Sequence, residues 1–598
     1  MTTPAHDDEV LGKAFDARLA RRLYEYVAPQ APLIGRSLAL MFVVTAAQLA
    51  QPYLIKILID DHIVKTETRG LTGLALLYLL VFAIEMTARY AQLYSMERTG
   101  QNVILALRNR LFTHLQSLDA AFFDRYPVGR LMTRVTTDVE SLADLFSSGV
   151  VSLLGDSLKL LAIVAILWWL DARLALVTFT MVPALFLLSV FYRGRIRQAY
   201  RDVRRRIARL NAHLQESISG MLLVQLFRRQ SEDLREFEAI NREHRDAELR
   251  SVVYESSFSA IVELVGTLAT ALIVWSGGGQ ILRGALTFGT LVAFLDYTAR
   301  FFAPIRDLSG FYAVMQAAMA SLERIFSLLE TRPTIVASRE AAPSSRTRGL
   351  LEFDRVRFAY RGEEEVLKEI TFRIEPGERV AIVGATGAGK TTLIKLLLRL
   401  YEPTSGAIRL DGHDLKDLPL PWLRGQVGVV MQDHFLVSGT IVENIAFGDR
   451  SLTQARIEEA ARLVRADEFI ARFPGGYQGR VRERGNNLSL GQKQLISFAR
   501  ALARDTALLV LDEATSSVDT ETESLIQEAL GRLLQGRTSL IIAHRLSTIL
   551  GADRILVFHH GQLVEEGTHR DLLERGGIYG RLYQLQFGVL TPRATGPS

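Results

Sequence analysis

The stretch Gly384-Ala385-Thr386-Gly387-Ala388-Gly389-Lys390-Thr391 decides the fold of the second half of this chain. It matches the pattern G-x-x-x-x-G-K-[ST] in full, follows an apolar run at 379–383 and precedes a helical pattern at 391–400. Glycines here let backbone N–H groups wrap phosphate oxygens at a helix N-terminus, where the helix dipole favours negative charge. The stretch therefore predicts a nucleotide-phosphate site in an α/β domain. The alternative, an ordinary glycine-rich turn, is much less common between a strand and a helix.

A second acidic element lies further along the chain. The run Leu508-Leu509-Val510-Leu511 is typical of a buried strand, and it ends in Asp512-Glu513. An Asp at the carboxyl end of a parallel strand beside a phosphate loop can organise a Mg²⁺ shell, and Glu513 can polarise a water for in-line attack on the γ-phosphate. Alone, such a pair more often caps a helix. Together with the phosphate loop, it favours a catalytic interpretation.

The segment Leu488-Ser489-Leu490-Gly491-Gln492 resembles the signature of ATP-binding cassette (ABC) proteins, Leu-Ser-Gly-Gly-Gln, with Leu490 as its one departure. The order of the surrounding motifs resembles the same family. By that resemblance, Tyr360 stacks on adenine, and Gln432 joins Mg²⁺ to the membrane part. Asp519 touches the partner subunit, and His544 contacts the γ-phosphate.

Two of these residues also have structural alternatives. Taken alone, Tyr360 is also compatible with a strand aromatic in the core, and His544 with a structural histidine at a strand end, although the joint placement of the motifs favours the functional interpretation of both. The resemblance implies ATP and Mg²⁺ as cofactors. The candidate residues are Glu513 and His544 for catalysis; Tyr360, Gly384, Ala385, Thr386, Gly387, Ala388, Gly389, Lys390, Thr391, Thr392, Gln432, Ser489, Gly491 and Gln492 for ATP binding; and Thr391, Gln432 and Asp512 for Mg²⁺.

The composition points to more than a soluble α/β domain. The chain has 598 residues, of which 48% are apolar, with 70 Lys+Arg, 65 Asp+Glu and no Cys; its mean hydropathy is +0.15. That length implies several domains. The small net charge gives no reason to expect a nucleic-acid partner. The absence of cysteine excludes disulfides, Cys-ligated zinc and a cysteine nucleophile.

The apolar residues crowd into the first half of the chain. An apolar helix needs about 20 residues to cross a bilayer core of about 30 Å. Six stretches are long enough: 33–59, 71–94, 150–170, 174–192, 252–282 and 286–313. Asp171-Ala172-Arg173 alone separates the third from the fourth, which predicts a tight hairpin.

Basic residues fill the segments between spans two and three and between spans four and five. By the positive-inside rule, both long loops, both termini and the ATP domain are cytoplasmic, and the expected location is the bacterial inner (plasma) membrane. The two loops carry helical periodicity, so we expect the spanning helices to continue well beyond the membrane.

The predicted fold class is an all-α, six-helix transmembrane domain of the ABC exporter type plus a cytoplasmic α/β P-loop NTPase domain. The predicted divisions are an N-terminal region with an amphipathic helix, the transmembrane domain, a polar linker, the nucleotide-binding domain and a flexible tail, at 1–30, 31–330, 331–349, 350–588 and 589–598.

Several ionisable residues lie inside the apolar stretches, where charges are costly. Three pairs of opposite charge stand at i,i+3 or i,i+4 and are predicted to pair along their own helices. Glu255 and Glu263 have no such neighbour, which favours a cavity-lining role. The three pairs are Glu85 with Arg89, Asp156 with Lys159, and Asp296 with Arg300.

The membrane half resembles the six-span exporters of the ABC superfamily. In that family, short coupling helices in the cytoplasmic loops dock onto the ATP domains. The resemblance places them here near 120–126 and 217–223. A loop packed only against itself is the alternative interpretation.

The resemblance implies one half of a dimeric exporter that drives hydrophobic or amphipathic substrates across the membrane by alternating access. Each ATP is sandwiched between the phosphate loop of one subunit and the signature of the other. Leu490 departs from the usual signature, whereas the catalytic-site residues match the family pattern at Lys390, Asp512, Glu513 and His544. In the family, this combination resembles the catalytically competent half of an asymmetric heterodimer.

The expected partners are a second ABC half-transporter subunit, the lipid bilayer and a small-molecule, lipid or peptide substrate. The alternatives are a homodimeric exporter or lipid flippase, an ATP-gated membrane switch without transport, and a soluble cassette protein of the DNA-repair kind.

Overall fold

The computed structural model describes residues 16–66, 68–145, 151–335, 343, 347–360, 362, 364–512, 520–543 and 545–587, without the side chains of 151–153, 303–313, 520–522 and 586–587. The chain forms two compact units. The first consists of Met1–Gln116 and Val128–Thr331, and the second of Ser117–Pro127 and Arg332–Ser598. The second unit therefore takes a short segment from the membrane half of the sequence.

The first unit contains helices and no strand in its described residues. Three short helices of other types, 3₁₀ at Ala28–Gln30 and π at Leu58–Ile63 and Arg134–Asp138, interrupt or join the α-helices. The α-helices are α1 (Ala17–Val27), α2 (Ala31–Ile57) and α3 (Leu71–Ser117), then, after α4 (Ala120–Arg125) of the second unit, α5 (Val128–Thr133), α6 (Val139–Asp144), α7 (Val151–Leu170), α8 (Ala172–Phe179), α9 (Met181–Ser219), α10 (Met221–Leu226), α11 (Gln230–Leu282) and α12 (Phe288–Glu330).

Several of these helices are much longer than a bilayer is thick. Helices α3, α9 and α11 have 47, 39 and 53 residues. At 1.5 Å per residue, α11 is about 80 Å long, against about 30 Å for the hydrocarbon core. The prediction that the spanning helices continue beyond the membrane is confirmed.

Four helical segments of the described chain have the length and apolar composition to cross a membrane: Ala17–Ile63, Leu71–Ser117, Ala172–Ser219 and Gln230–Leu282. They contain the predicted spans one, two, four and five. The third and sixth predicted spans coincide with α7 and α12, but residue 150 of the third lies outside the described residues, and the side chains of 151–153 and 303–313 are not described. A total of six spans stays a prediction.

The turn between α7 and α8 is the tight hairpin that the sequence predicts. Helix α7 ends at Leu170 and α8 begins at Ala172. The Asp171 carboxylate accepts a hydrogen bond of 2.7 Å from the backbone N–H of Leu174, so it caps α8. Beside this turn, apolar side chains from α7, α8, α11 and α12 form a buried core.

A proline interrupts the hydrogen bonding of α2. Pro52 has no N–H, so the carbonyl of Gln48, four residues earlier, loses its usual partner inside the helix. Helix α12 supplies a substitute, because the Arg300 guanidinium donates a hydrogen bond of 2.8 Å to that carbonyl. The Tyr297 hydroxyl donates to the next carbonyl, that of Leu49. Two side chains of α12 therefore stabilise the proline turn.

Two of the three predicted charge pairs are present, at 3.8 Å between Lys159 and Asp156 and at 3.3 Å between Arg300 and Asp296. The third, between Glu85 and Arg89, is wrong.

The buried Glu85 carboxylate accepts hydrogen bonds from the side-chain amides of Gln48, at 2.8 Å, and Gln51, at 2.5 Å. Arg89 is exposed. The physical reason is that Glu85 belongs to the buried side of α3, where amides of α2 can donate to it. Gln51 also accepts from Arg300 at 3.2 Å, so it bridges Glu85 and Arg300.

Neither Glu255 nor Glu263 of α11 forms an ion pair with another residue that the structure describes. The Glu255 carboxylate accepts a hydrogen bond of 3.0 Å from the Tyr200 hydroxyl of α9, and Glu263 is exposed. A cavity-lining role for either residue stays a prediction.

The described residues of the second unit form three sheets. Their strands are β1 (Leu351–Phe358), β2 (Leu367–Ile374), β3 (Arg379–Gly384), β4 (Ser405–Leu410), β5 (His413–Asp414), β6 (Val427–Val430), β7 (Gly439–Thr440), β8 (Arg480–Val481), β9 (Leu508–Asp512), β10 (Thr538–Ile542), β11 (Arg554–His559) and β12 (Gln562–Gly567). The largest sheet has the strand order β12-β11-β3-β10-β9-β6, with β6, β9, β10, β3 and β11 mutually parallel and β12 antiparallel at one edge. The others are the antiparallel sheet β2-β1-β4-β5 and the pair β7-β8.

Helices connect these strands. Buried aliphatic runs in β3, β9 and β10 are what a parallel sheet covered on both faces requires. A helical membrane region is therefore followed by an α/β domain, as predicted. The helices are α13 (Lys390–Leu397), α14 (Leu420–Gln426), α15 (Ile441–Ala446), α16 (Gln454–Leu463), α17 (Asp467–Arg472), α18 (Leu490–Ala503), α19 (Thr520–Leu534), α20 (Leu546–Leu550), α21 (His569–Arg575) and α22 (Ile578–Phe587).

Candidate nucleotide site

The phosphate loop joins the end of β3 to the start of α13. Gly389 caps α13 with φ +94°, a conformation that side chains disfavour, and a Cβ there would lie 2.6 Å from the Leu367 side chain. A Cβ at Gly384 would lie 2.3 Å from a backbone oxygen of β11. Both positions therefore require glycine. Within the loop, Ala385, Thr386 and Gly387 are exposed and Ala388 is buried.

Lys390 is buried at the base of this loop. Its ammonium donates hydrogen bonds to the carbonyls of Gly384, at 2.7 Å, and Ala385, at 2.9 Å. Burial lowers the pKa of Lys390, and the negative charge of Asp512 opposes that effect. Loop carbonyls thus accept from the donors that phosphate oxygens would use, and the lysine stabilises the shape of the loop.

The predicted Mg²⁺ ligands Thr391 and Asp512 lie together. Asp512, the last residue of β9, is buried, and its carboxylate accepts a hydrogen bond of 3.2 Å from the Thr391 hydroxyl. Gln432 is exposed on the loop that follows β6, and no hydrogen bond among the described residues joins it to this pair.

The Thr391–Asp512 pair fits Mg²⁺ in its chemistry, because carboxylate and hydroxyl oxygens are hard ligands. Among the described residues, no group of three or more His, Asp or Glu side chains is placed to hold a metal alone. A Mg²⁺ ion here would take its remaining ligands from phosphate and water, as is usual for this cation.

Tyr360 lies just beyond β1 and is half-buried. Its ring is perpendicular to that of Tyr401, with centroids 5.0 Å apart, and also to that of Phe358, at 4.8 Å. Its hydroxyl is 3.1 Å from the hydroxyl of Thr392 on α13. The ring therefore packs partly against the core, as the structural alternative supposes, and keeps an open part beside the phosphate-loop helix.

The signature segment forms the start of α18. The Ser489 side chain accepts from the backbone N–H of Gln492 at 3.3 Å, and the Gln492 side chain accepts from the N–H of Ser489 at 3.0 Å, which makes a capping box. Gly491 is buried, whereas Leu490 is 42% exposed.

Leu490 lies inside α18 and has no positive φ. The backbone freedom of glycine is therefore not needed at this position. What distinguishes Leu490 from the family pattern is the side chain that it adds beside the helix N-terminus.

Three predicted residues lie outside the described part of the chain. Glu513 follows β9 directly, Asp519 is in the same stretch, and His544 follows Ala543. Their roles stay predictions, because the structure gives no geometry for them.

The segment predicted near 120–126 as a coupling helix is α4, in the second unit. The Asp119 carboxylate caps it, accepting from the backbone N–H of Phe122 at 3.1 Å and from that of Thr334 at 2.7 Å. The Phe122 ring is buried and stacks on Tyr126, with centroids 4.6 Å apart. Helix α4 is therefore packed in the unit that holds the phosphate loop.

The other predicted coupling helix, near 217–223, overlaps the end of α9 and the start of α10. Large apolar side chains on and beside α10 are exposed, and we call five of them the α10 patch: Ile218, Leu222, Leu223, Leu226 and Phe227.

The sequence did not identify a cluster around α4 and α13. The Asp124 carboxylate accepts hydrogen bonds from the Tyr401 hydroxyl, at 2.6 Å, and from the Lys395 ammonium, at 3.3 Å. One available signal was that Lys395 stands four residues after Thr391 and thus on the same helix face.

His434, two residues after Gln432, was also missed. Both of its ring nitrogens are buried and have no hydrogen-bond partner among the described residues. Burial lowers the pKa of His434 to about 4, although the charge of Asp433 opposes this. No pattern in the sequence indicates such burial, because it depends on the packing of distant segments.

Comparison with known proteins matches both halves. The model of the ABC transporter transmembrane region matches residues 34–305, and that of the ABC transporter domain matches residues 367–516. The chain is 39% identical to the ABC transporter ATP-binding protein YknV of Bacillus subtilis, over 97% of each protein.

Two other relatives carry functional names. The chain is 37% identical to the "ATP-dependent lipid A-core flippase" of Syntrophus aciditrophicus, over 95% of this chain and 94% of the flippase. It is 39% identical to the "Probable multidrug resistance ABC transporter ATP-binding/permease protein YheH" of Bacillus subtilis, over 87% of this chain and 78% of that protein.

Proposed function

The chain belongs to the ABC transporter family, whose ATP hydrolysis drives transport, and we propose that it is one half of a dimeric exporter of hydrophobic or amphipathic substrates. The α10 patch is the observation that supports a dimer. Helix α4 has a buried aromatic anchor, whereas the α10 patch exposes five large apolar side chains, on α10 and directly beside it, at a position where the family docks a coupling helix. Such a surface suits the ATP domain of a second subunit.

We propose the following division of labour at the ATP site. Lys390 exchanges its carbonyl partners for phosphate oxygens, and Thr391, Asp512 and Gln432 hold Mg²⁺, which neutralises phosphate charge when bound. Glu513 polarises the attacking water, and His544 contacts the γ-phosphate.

The remaining candidates bind the nucleotide itself. Tyr360 stacks on adenine, and the loop from Gly384 to Thr392 surrounds the phosphates through its backbone N–H groups. Ser489, Gly491 and Gln492 bind the ATP of the partner, because the capped N-terminus of α18 presents a positive dipole end to an anion.

We propose a heterodimer in which this chain is the catalytically competent half. The Leu490 side chain stands where a signature of the usual form has no Cβ, so it would crowd the partner's ATP and not this chain's own. The helical backbone of Leu490 favours the alternative, a homodimer that tolerates the side chain. ATP hydrolysis by the purified chain, alone and with a candidate partner, discriminates between them. Robust hydrolysis and transport by the chain alone would rule out the heterodimer.

The protein is a multi-pass membrane protein. Its location in the bacterial inner membrane, with cytoplasmic termini, is part of the proposal and is supported by the basic loops. Labelling of single cysteines introduced into this cysteine-free chain, from each side of the membrane, tests the orientation. Reaction of a terminal cysteine from outside intact cells would contradict it.

Export itself is tested with inside-out membrane vesicles. ATP should drive accumulation of a fluorescent amphipathic dye, and a non-hydrolysable analogue should not. A short-chain fluorescent phospholipid tests the flippase alternative, which the name of the Syntrophus relative favours. Dye or lipid movement without hydrolysis would instead indicate an ATP-gated switch.

A further inference from the structure

We propose that Asp124, Lys395 and Tyr401 link the adenine base of bound ATP to helix α4. They are positioning residues, because none is placed on the phosphates or the reacting water. The inference rests on the proposed function in one respect, namely that Tyr360 stacks on adenine.

The first part of the link joins α4 to α13. Asp124 accepts two hydrogen bonds, from Tyr401 and Lys395, and these lie in the same compact unit as the phosphate loop. The hydrogen bond from Tyr401 is the main cause that lowers the pKa of Asp124, so the carboxylate is ionised at neutral pH. Helix α4 therefore presents an anion to this pair.

The second part joins the same two side chains to Tyr360. The Lys395 ammonium lies 5.4 Å from the centroid of the Tyr360 ring and 5.6 Å from that of Tyr401, within the range of a cation–π contact. The Tyr401 ring also meets the Tyr360 ring edge to face. One ammonium thus contacts the proposed adenine platform and the carboxylate of α4 at once.

The expected consequence of this link is that the site binds a ligand with a nucleobase more tightly than one without it. Asp124 holds Lys395 and Tyr401 against the Tyr360 ring, so losing it frees both and leaves the platform less ordered. The phosphate loop has its own supports, since Lys390 binds loop carbonyls and contacts none of these groups by hydrogen bond. Coupling between two sites is reciprocal. A base bound on Tyr360 must therefore strengthen the contact of Asp124 with Lys395 and Tyr401 by the same factor by which that contact strengthens ATP binding.

The test measures the affinity of the full-length protein for ATP and for inorganic tripolyphosphate, which lacks the base. Asp124→Asn and Lys395→Gln should each weaken ATP binding by about three- to tenfold, the scale of a partly exposed charge contact, and leave tripolyphosphate binding unchanged. Lys395→Arg keeps the charge and should restore ATP binding. Unchanged tripolyphosphate binding in the same sample also shows that the variant is folded.

Two further variants separate this inference from the proposed function. Tyr360→Leu tests the platform alone and should weaken ATP selectively, and adding Asp124→Asn to it should cause no further loss. Asp449→Asn removes a partly exposed carboxylate elsewhere in the same unit and should change neither affinity. If Tyr360→Leu is selective but Asp124→Asn is not, the link is refuted and the platform stands. If Tyr360→Leu is not selective, both are refuted.

The reciprocal effect has its own readout. Phe123 of α4 is exposed, so a cysteine introduced there is accessible to a maleimide. Because the chain has no other cysteine, the modification reports on this position alone. ATP should slow that modification, tripolyphosphate should not, and Asp124→Asn should abolish the difference. Equal protection by both ligands would overturn the link.

Discussion

At the scale of single residues, the Thr391–Asp512 contact makes a specific prediction about Mg²⁺. Thr391→Ala removes the hard oxygen ligand that we propose for Mg²⁺, so the Mg²⁺ concentration for half-maximal ATP hydrolysis should rise by about 10- to 100-fold. Thr391→Ser is the matched control, because it keeps the hydroxyl and should behave like the wild type. An unchanged Mg²⁺ requirement in the alanine variant would remove Thr391 from the metal site.

Glu513 carries the second residue-scale prediction. Glu513→Gln should retain ATP binding, because the phosphate loop is untouched, while the hydrolysis rate falls by about 10²- to 10⁴-fold through loss of the proposed water-activating carboxylate. Single-turnover hydrolysis and nucleotide binding measured on the same sample separate these effects. Near-normal turnover would assign the water-activating role to another residue.

His434 predicts a dependence of stability on pH. Its pKa in the folded chain is about 4, against an ordinary value of 6.5, so below pH 6.5 the unfolded chain binds more protons than the folded chain. Stability is therefore lost as the pH falls from 6.5 to about 4, by up to about 3 kcal/mol.

The measurement is the drop in unfolding midpoint between pH 7.5 and pH 5. His434→Gln should shrink this drop, and His413→Gln, at an exposed histidine of β5, should leave it unchanged. Equal drops in the wild type and His434→Gln would contradict a buried neutral histidine.

At the scale of elements, the proline turn of α2 depends on α12. Arg300→Gln removes the donor to the Gln48 carbonyl and should destabilise the protein by about 1–3 kcal/mol, the cost of an unsatisfied buried polar group. Pro52→Ala restores an N–H that can bond that carbonyl within α2, so Arg300→Gln should cost much less in the Pro52→Ala background. Thermal unfolding of the four members of this cycle measures the coupling, and additive effects would refute it.

The same elements show how far the sequence can predict this fold. The phosphate loop and the Asp171 hairpin were predictable, because each is defined by neighbouring residues. The Glu85–Arg89 pair was predicted wrongly, because the i,i+4 rule considers one helix only. The actual donors, Gln48 and Gln51, precede Glu85 by 37 and 34 residues. Likewise, the Asp124–Lys395 contact joins residues 271 apart, a distance over which no periodicity carries information.

At the scale of the whole molecule, the α10 patch predicts an uncoupling phenotype. Leu222→Ser should reduce ATP-driven transport more than ATP binding, because it weakens the proposed contact with a second subunit and leaves the phosphate loop unchanged. Leu234→Ser, at a comparably exposed leucine of α11, is the matched control and should leave transport intact. Transport equal to the wild type in Leu222→Ser would exclude the patch as a docking surface.

The second unit is formed from two segments that are far apart in the sequence, which has a consequence for biosynthesis. The backbone N–H of Thr334, which bonds Asp119, is made 215 residues after it, and Lys395 is made 271 residues after Asp124. At about 5–20 residues per second, the ribosome needs about 15–55 s to cover the second distance. During that time Phe122 has already been synthesised, whereas most of the compact unit in which its ring is buried has not. The contacts around α4 can therefore form only after Lys395 has been synthesised. Until then, the ring of Phe122 lacks the packing that buries it in the folded protein.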